Sequence, residues 1–155
     1  MPQPAFDPLH LDVQTCFPLY AASRLMTRLY QPLLDRLDLT YPQYLVMLLL
    51  WQHGSMTVSA IGEQTYLESN TLSPLLKKLE AKGLIARTRS KQDERVVRIT
   101  LTPSGRAMRR RAQSIPVQLF EQIGLPADDM IQLKASLGNL LLHLTAAIQQ
   151  AEPAK

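Results

Sequence analysis

Ser69-Asn70-Thr71-Leu72-Ser73-Pro74-Leu75-Leu76-Lys77-Lys78-Leu79-Glu80-Ala81-Lys82-Gly83-Leu84-Ile85-Ala86-Arg87-Thr88-Arg89 changes its hydrophobic period part-way along. Up to Lys82 the apolar residues recur every three or four positions, as on a helix. Gly83 is a helix stop, and from Leu84 to Arg89 the side chains alternate as on a basic strand. Residues 96–101, Val-Val-Arg-Ile-Thr-Leu, are a second strand, and the charged loop 90–95 joins the two. Upstream, Thr57 is placed to cap a short helix over residues 58–65. Ser69 or Asn70 is placed to cap the helix running to Lys82, with Pro74 delaying its start or bending its first turn. A short helix, a tight connection and a second helix with polar residues at its start form a helix-turn-helix. Followed by two strands with a charged tip, that motif is a winged helix.

Outside this stretch the pattern is helical. Residues 19–37 carry an apolar stripe at Leu19, Ala22, Leu25, Met26, Leu29, Leu33, Leu34 and Leu37. Thr15 is the expected N-cap, with Cys16 and Pro18 in the first turn, and Pro32 predicts a kink. Thr40-Tyr41-Pro42-Gln43 reads as a capping box opening a helix that ends near Gly54. That helix is apolar all round, so it is expected to be buried. Thr102-Pro103-Ser104-Gly105 punctuates, and residues 106–120 follow as helix with a break at Pro116. Leu125-Pro126 opens the last helix, 127–150, striped by Met130, Leu133, Leu137, Leu140, Leu141, Leu144 and Ile148. The expected layout is a single domain over 1–155, mainly α with a small β-wing. Residues 40–102 form the winged-helix core. The helices over 11–37 and 104–150 have no core of their own to cover, which points to homodimerisation.

The composition agrees with one globular domain: 155 residues, 46% apolar and 19% charged. No apolar run reaches the length of a membrane span, and the N-terminus lacks the basic and apolar segments of a signal peptide. One cysteine excludes an internal disulfide and fits a reducing compartment, the cytoplasm. Three widely spaced histidines and that cysteine have no metal-ligand spacing, so neither metal nor other cofactor is expected. The net charge of +4 is unevenly placed. Residues 68–113 hold twelve basic and four acidic side chains, whereas the rest of the chain is net acidic. A basic module in an acidic chain suits a polyanion such as double-stranded DNA.

These residues resemble a known family. Asp93-Glu94-Arg95-Val96-Val97-Arg98-Ile99-Thr100-Leu101-Thr102 is similar to the wing signature of the MarR family of transcriptional regulators, and residues 72–85 resemble that family's recognition helix and its exit. A closer resemblance is to the OhrR subgroup, repressors that sense organic hydroperoxides. It is carried by Cys16-Phe17, Leu19-Tyr20-Ala21, Tyr30-Gln31-Pro32-Leu33-Leu34, residues 39–45 and Gly62-Glu63-Gln64-Thr65-Tyr66-Leu67. With no second cysteine near residues 120–130, the chain resembles the one-cysteine subclass.

Cys16 is the candidate redox-sensing residue. A lone cysteine beside Phe17 is ordinarily a small buried hydrophobe. Its place in a first helical turn, where free N–H groups and the helix dipole favour a thiolate, argues otherwise. The resemblance places a peroxide-sensing thiol here. Thiolate attack on a hydroperoxide would give a sulfenic acid, which would then form a mixed disulfide with a small cellular thiol or over-oxidise. Tyr30 lies fourteen residues on, about 21 Å along a straight helix, so it cannot meet Cys16 within one helix. The resemblance implies that the hydroxyls of Tyr30 and Tyr41 reach the partner's cysteine across a dimer. Tyr20, one turn after Cys16, is a weaker candidate.

Residues at the start of a recognition helix point into the major groove, which selects Ser69, Asn70, Thr71, Ser73 and Lys77. Such side chains either read base edges or bind phosphate. Lys78 and Arg87 are candidate phosphate contacts. Arg95 at the wing tip is expected to enter the minor groove, with Asp93 positioning the wing. The reading is therefore a repressor, not an enzyme, that binds a pseudo-palindromic operator when reduced and leaves it when Cys16 is oxidised. The competing readings are a MarR-type repressor released by a small aromatic ligand, for which Cys16 is dispensable, and a thiol peroxidase, which would need a resolving thiol.

Overall fold

The computed structural model describes residues 7–89, 93 and 96–151. The chain divides into two compact units, Met1–Ile115 and Pro116–Lys155.

In the first unit a 3-10 turn, Leu11–Val13, precedes α1 (Cys16–Asp35). Thr15 occupies the N-cap position, but its backbone is already helical and its side chain makes no capping bond. The expected cap is therefore corrected: a true N-cap needs an extended backbone to aim its oxygen back at the first turn. α1 runs unbroken through Pro32. α2 (Tyr41–His53) opens as the sequence predicts: Gln43 Oε1 accepts the Thr40 N–H at 3.0 Å, and Gly54 ends the helix at φ 74°. Only part of α2 is enclosed. Tyr44, Val46, Met47 and Leu50 are buried, whereas Leu48 is exposed despite the apolar surround.

A strand the sequence pattern does not reveal, β1 (Ser55–Thr57), follows Gly54. It is three residues long, too short for a period to show. Thr57 then caps α3 (Val58–Thr65), accepting the Ala60 N–H at 3.2 Å. α4 (Ser69–Ala81) starts one residue earlier than a Ser69 cap would place it and two earlier than an Asn70 cap would. Glu68 holds the N-cap position without a side-chain bond, and Ser69 and Asn70 are its first two helical residues. Pro74 neither delays nor breaks α4.

β2 (Ile85–Arg89) and β3 (Val97–Leu101) pair antiparallel, with Ile85 opposite Leu101 and Arg87 opposite Ile99. β1 adds to the other edge of β3, giving the order β1-β3-β2. Alternation along β3 turns Ile99 and Leu101 inward. They are buried along with Leu33 and Leu34 of α1, the inner face of α2, Ile61 of α3 and Leu72, Leu76 and Leu79 of α4, which together make up the core. α5 (Pro103–Ala112) begins at Pro103, not Arg106, because Thr102 is its N-cap and accepts the Gly105 N–H at 3.0 Å. α5 ends before Ser114, and Pro116 lies inside α6 (Ile115–Ile123), so Pro116 is not the break. A proline in the first turn of a helix loses no bond.

The second unit contains most of α6 and α7 (Ala127–Ala151). No α7 side chain is buried. Ile131, Leu133, Leu141, Leu142, Leu144 and Ile148 are all exposed. Among the described residues no helix is long and apolar enough to cross a membrane.

Candidate functional site

α1 sets the first half of the site. Cys16 is its first residue and is exposed. One turn on, Tyr20 is also exposed, with the Arg24 guanidinium 5.6 Å from its ring centre. Fourteen residues separate Cys16 from Tyr30 on the same unbroken helix. At 1.5 Å per residue that is about 21 Å, so one chain does not bring the thiol to this tyrosine.

Tyr30 instead joins an aromatic cluster. Its ring centre lies 4.8 Å from that of Tyr41 and 5.7 Å from that of Tyr44, both on α2. Tyr44 meets Trp51 edge-on at 6.3 Å. Positions 41, 44 and 51 share one face of α2, so helical spacing lines up these three rings. Burial pushes the Tyr30 hydroxyl up to about 12, reinforced by Tyr41 and Tyr44, and burial also raises Tyr41 and Tyr44. Near neutral pH these phenols are protonated and can donate.

The second half lies on α4 and the sheet. Ser69, Asn70, Thr71, Ser73, Lys77 and Lys78 are all exposed. The apolar face of the same helix, Leu72, Leu75, Leu76 and Leu79, is buried, and that burial turns the polar face outward. Gly62 on α3 permits the close turn between α3 and α4: a Cβ there would stand 3.1 Å from the Leu67 carbonyl oxygen. Between α3, α4 and the strands runs a cleft of about 550 Å³ lined in part by Ser59, Ser69, Ser73, Arg87 and Val97. Arg87 reaches back from β2 to Glu80 of α4, 3.9 Å away. Asp93 precedes β3. Arg95 lies outside the described residues.

Comparison with known proteins places this arrangement. The family described as transcriptional regulator SarA/Rot matches residues 28–111. The organic hydroperoxide resistance transcriptional regulator of Bacillus subtilis is 50% identical over 136 residues, 88% of this chain and 92% of that protein. Among solved structures, reduced AbfR bound to DNA is 36% identical, with a TM-score of 0.73 over 87% of this chain and 94% of the other. Overoxidised AbfR bound to DNA is likewise 36% identical, with a TM-score of 0.69 over 86% and 94%. AbfR is a Staphylococcus epidermidis protein.

The chain belongs to the OhrR type of MarR-family transcriptional regulators.

In this OhrR-type chain the sequence-selected residues fall into two groups. Ser69, Asn70, Thr71, Ser73, Lys77 and Lys78 share one helix, with Arg87 on the neighbouring strand. Tyr30 and Tyr41 pack ring against ring at a tilt of 39°, while Cys16 and Tyr20 sit at the opposite end of α1. Tyr44 and Trp51 are members of the aromatic cluster that the apolar reading of α2 passes over as core. Their spacing with Tyr41 was the available signal. The Glu80–Arg87 pair had none, since it joins a helix to a strand across the Gly83 turn.

Proposed function

We propose that this regulator represses transcription as a homodimer on a pseudo-palindromic operator and releases it when Cys16 is modified by an organic hydroperoxide and a small thiol. What carries this reading is the exposed Cys16 at the first turn of a helix whose far end holds the Tyr30–Tyr41 pair. A second copy laid antiparallel along α1 would bring each thiol to the other's tyrosines. The exposed apolar side chains of α1 (Leu19, Leu25, Leu29) and of α7 supply surface for such pairing. The kinship to the Bacillus subtilis hydroperoxide resistance regulator supports the signal.

The chemistry balances simply. The Cys16 thiolate attacks the outer oxygen of the hydroperoxide; an S–O bond forms, the O–O bond breaks, and an alcohol leaves after taking a proton. A small thiol then displaces water from the sulfenic acid, forming a disulfide to Cys16. Protonated Tyr30 and Tyr41 donate to the sulfur and stabilise the thiolate. Overoxidised AbfR has been seen on DNA, which favours the bulk of a thiol adduct over a mere rise in oxidation state as the releasing event. The adduct cannot pack where the thiolate did. The helices shift, and two recognition helices no longer match one turn of DNA, about 34 Å.

On the operator, Ser69, Asn70, Thr71, Ser73 and Lys77 enter the major groove, and Lys78 and Arg87 hold phosphates. Arg95 enters the minor groove beside a wing set by Asp93. Cys16 reacts once per signal, so the role is that of a sensor and not of an enzyme.

The test is a gel shift with operator DNA, with and without cumene hydroperoxide plus free cysteine. Wild type is expected to release DNA and gain the mass of one cysteine adduct at Cys16. Cys16→Ser should stay bound. Release by Cys16→Ser ends the proposal.

A further inference from the structure

The aromatic cluster does not stop at the tyrosines. Trp51 Nε1–H donates to the Gly105 carbonyl at 2.8 Å, joining α2 to the first turn of α5. Gly105 in turn presses on the strand that leaves the recognition helix: a Cβ at Gly105 would stand 2.0 Å from the Leu84 carbonyl oxygen. Thr102, the cap of α5, fastens the same turn. Its hydroxyl donates to Gly83 O at 2.6 Å and its N–H to Leu84 O at 3.1 Å. Gly83, at φ 68°, follows the end of α4. Contacts at packing or hydrogen-bonding distance therefore run from Tyr30 through Tyr44, Trp51 and Gly105 to the exit of the helix proposed to read DNA.

We infer that Trp51 is a positioning residue that couples the tyrosine site to the recognition helix. Apolar packing tolerates sliding, but a hydrogen bond is directional, so a tilt of the indole pulls on one backbone carbonyl. Gly105 has no room to absorb that pull without moving Leu84 and the Gly83 turn. Displacement of Tyr30 by an adduct on the partner's cysteine shifts Tyr44, turns the Trp51 ring and reorients the end of α4. The inference rests on the redox-sensing reading above and names the element that carries its signal.

Trp51→Phe keeps a large ring and removes the donor. Operator affinity is measured for the full-length protein, reduced and after cumene hydroperoxide with cysteine. Reduced Trp51→Phe should bind within about twofold of wild type, while the ratio of reduced to oxidised affinity should shrink about fivefold or more, a typical allosteric coupling. A purely structural tryptophan would lower the thermal midpoint and leave that ratio unchanged, which overturns the inference. A second measurement needs no variant at this position. Trp51 is the sole tryptophan, so the emission of DNA-free wild type should shift on oxidation and that of Cys16→Ser should not. Unchanged wild-type emission also overturns it. A wild type that keeps its operator under hydroperoxide fails the sensing proposal itself and this inference with it. A responsive wild type with an unaltered ratio in Trp51→Phe fails this inference alone.

Discussion

Tyr30 and Tyr41 pose the sharpest question at the scale of single residues, because a half-buried tyrosine packed against another ring is equally at home in a core. Their hydroxyls decide it. If they serve the thiolate, Tyr30→Phe and Tyr41→Phe each slow Cys16 oxidation roughly tenfold, the worth of one hydrogen bond to a charged group. Both variants keep the ring contacts and leave operator affinity of the reduced protein unchanged. Stopped-flow oxidation at wild-type rates would return both residues to a packing role. The same burial has a consequence for stability against alkali. An unfolded chain ionises its tyrosines near pH 10, whereas Tyr30 in the fold holds its proton to about 12. Between those values the unfolded state binds fewer protons, so stability falls as pH rises. Below pH 10 the contribution is fully present. Urea midpoints at pH 8 and pH 11 should show a decline for wild type and a smaller one for Tyr30→Phe.

At the scale of elements, α4, β2 and α5 approach closely where Gly105 faces Leu84. Gly105→Ala would drive a methyl group into the Leu84 carbonyl, a backbone atom that cannot rotate away. A loss of roughly 2–3 kcal/mol is expected, the upper part of the usual cost of overpacking, read as a lower urea midpoint with an unchanged slope. Glycine at this position is a steric requirement that a sequence scan takes for turn punctuation. α1 to α4 and the two longer strands are legible in the sequence, since periods of 3.6 and 2 persist over enough residues there to be read. β1 is not, because three residues carry no period, and neither is the start of α5, because Thr102-Pro103-Ser104-Gly105 looks like a loop and is a capped first turn. Of the site, the polar face of α4 was legible from the apolar positions that define its opposite side. The aromatic cluster was legible only in part. Tyr44 and Trp51 read as core by composition, and only the three-dimensional ring contacts show that they continue from Tyr30.

For the whole molecule, α1 and α7 leave leucine and isoleucine side chains uncovered at spacings that suit helix pairing. Light scattering at micromolar concentration should return twice the 17.5 kDa chain mass; the single-chain mass would remove the geometry on which the sensing proposal depends. The length of α1 has one more result, and it concerns inheritance. A single 20-residue helix holds Cys16 at one end and Tyr30 near the other, so in the dimer proposed above the thiol and its tyrosines come from different copies of the gene product. A chain lacking the cysteine and a chain lacking both tyrosine hydroxyls are each defective alone. Co-expressed, they form mixed dimers in which one of the two sites takes its Cys16 from one allele and its Tyr30 and Tyr41 from the other. That site is complete, so the two defective alleles should complement one another and restore rapid oxidation of one thiol per mixed dimer. The Cys16→Ser, Tyr30→Phe, Tyr41→Phe triple variant expressed beside wild type carries no such rescue: in its mixed dimers the wild-type thiol faces phenylalanines, and oxidation stays slow.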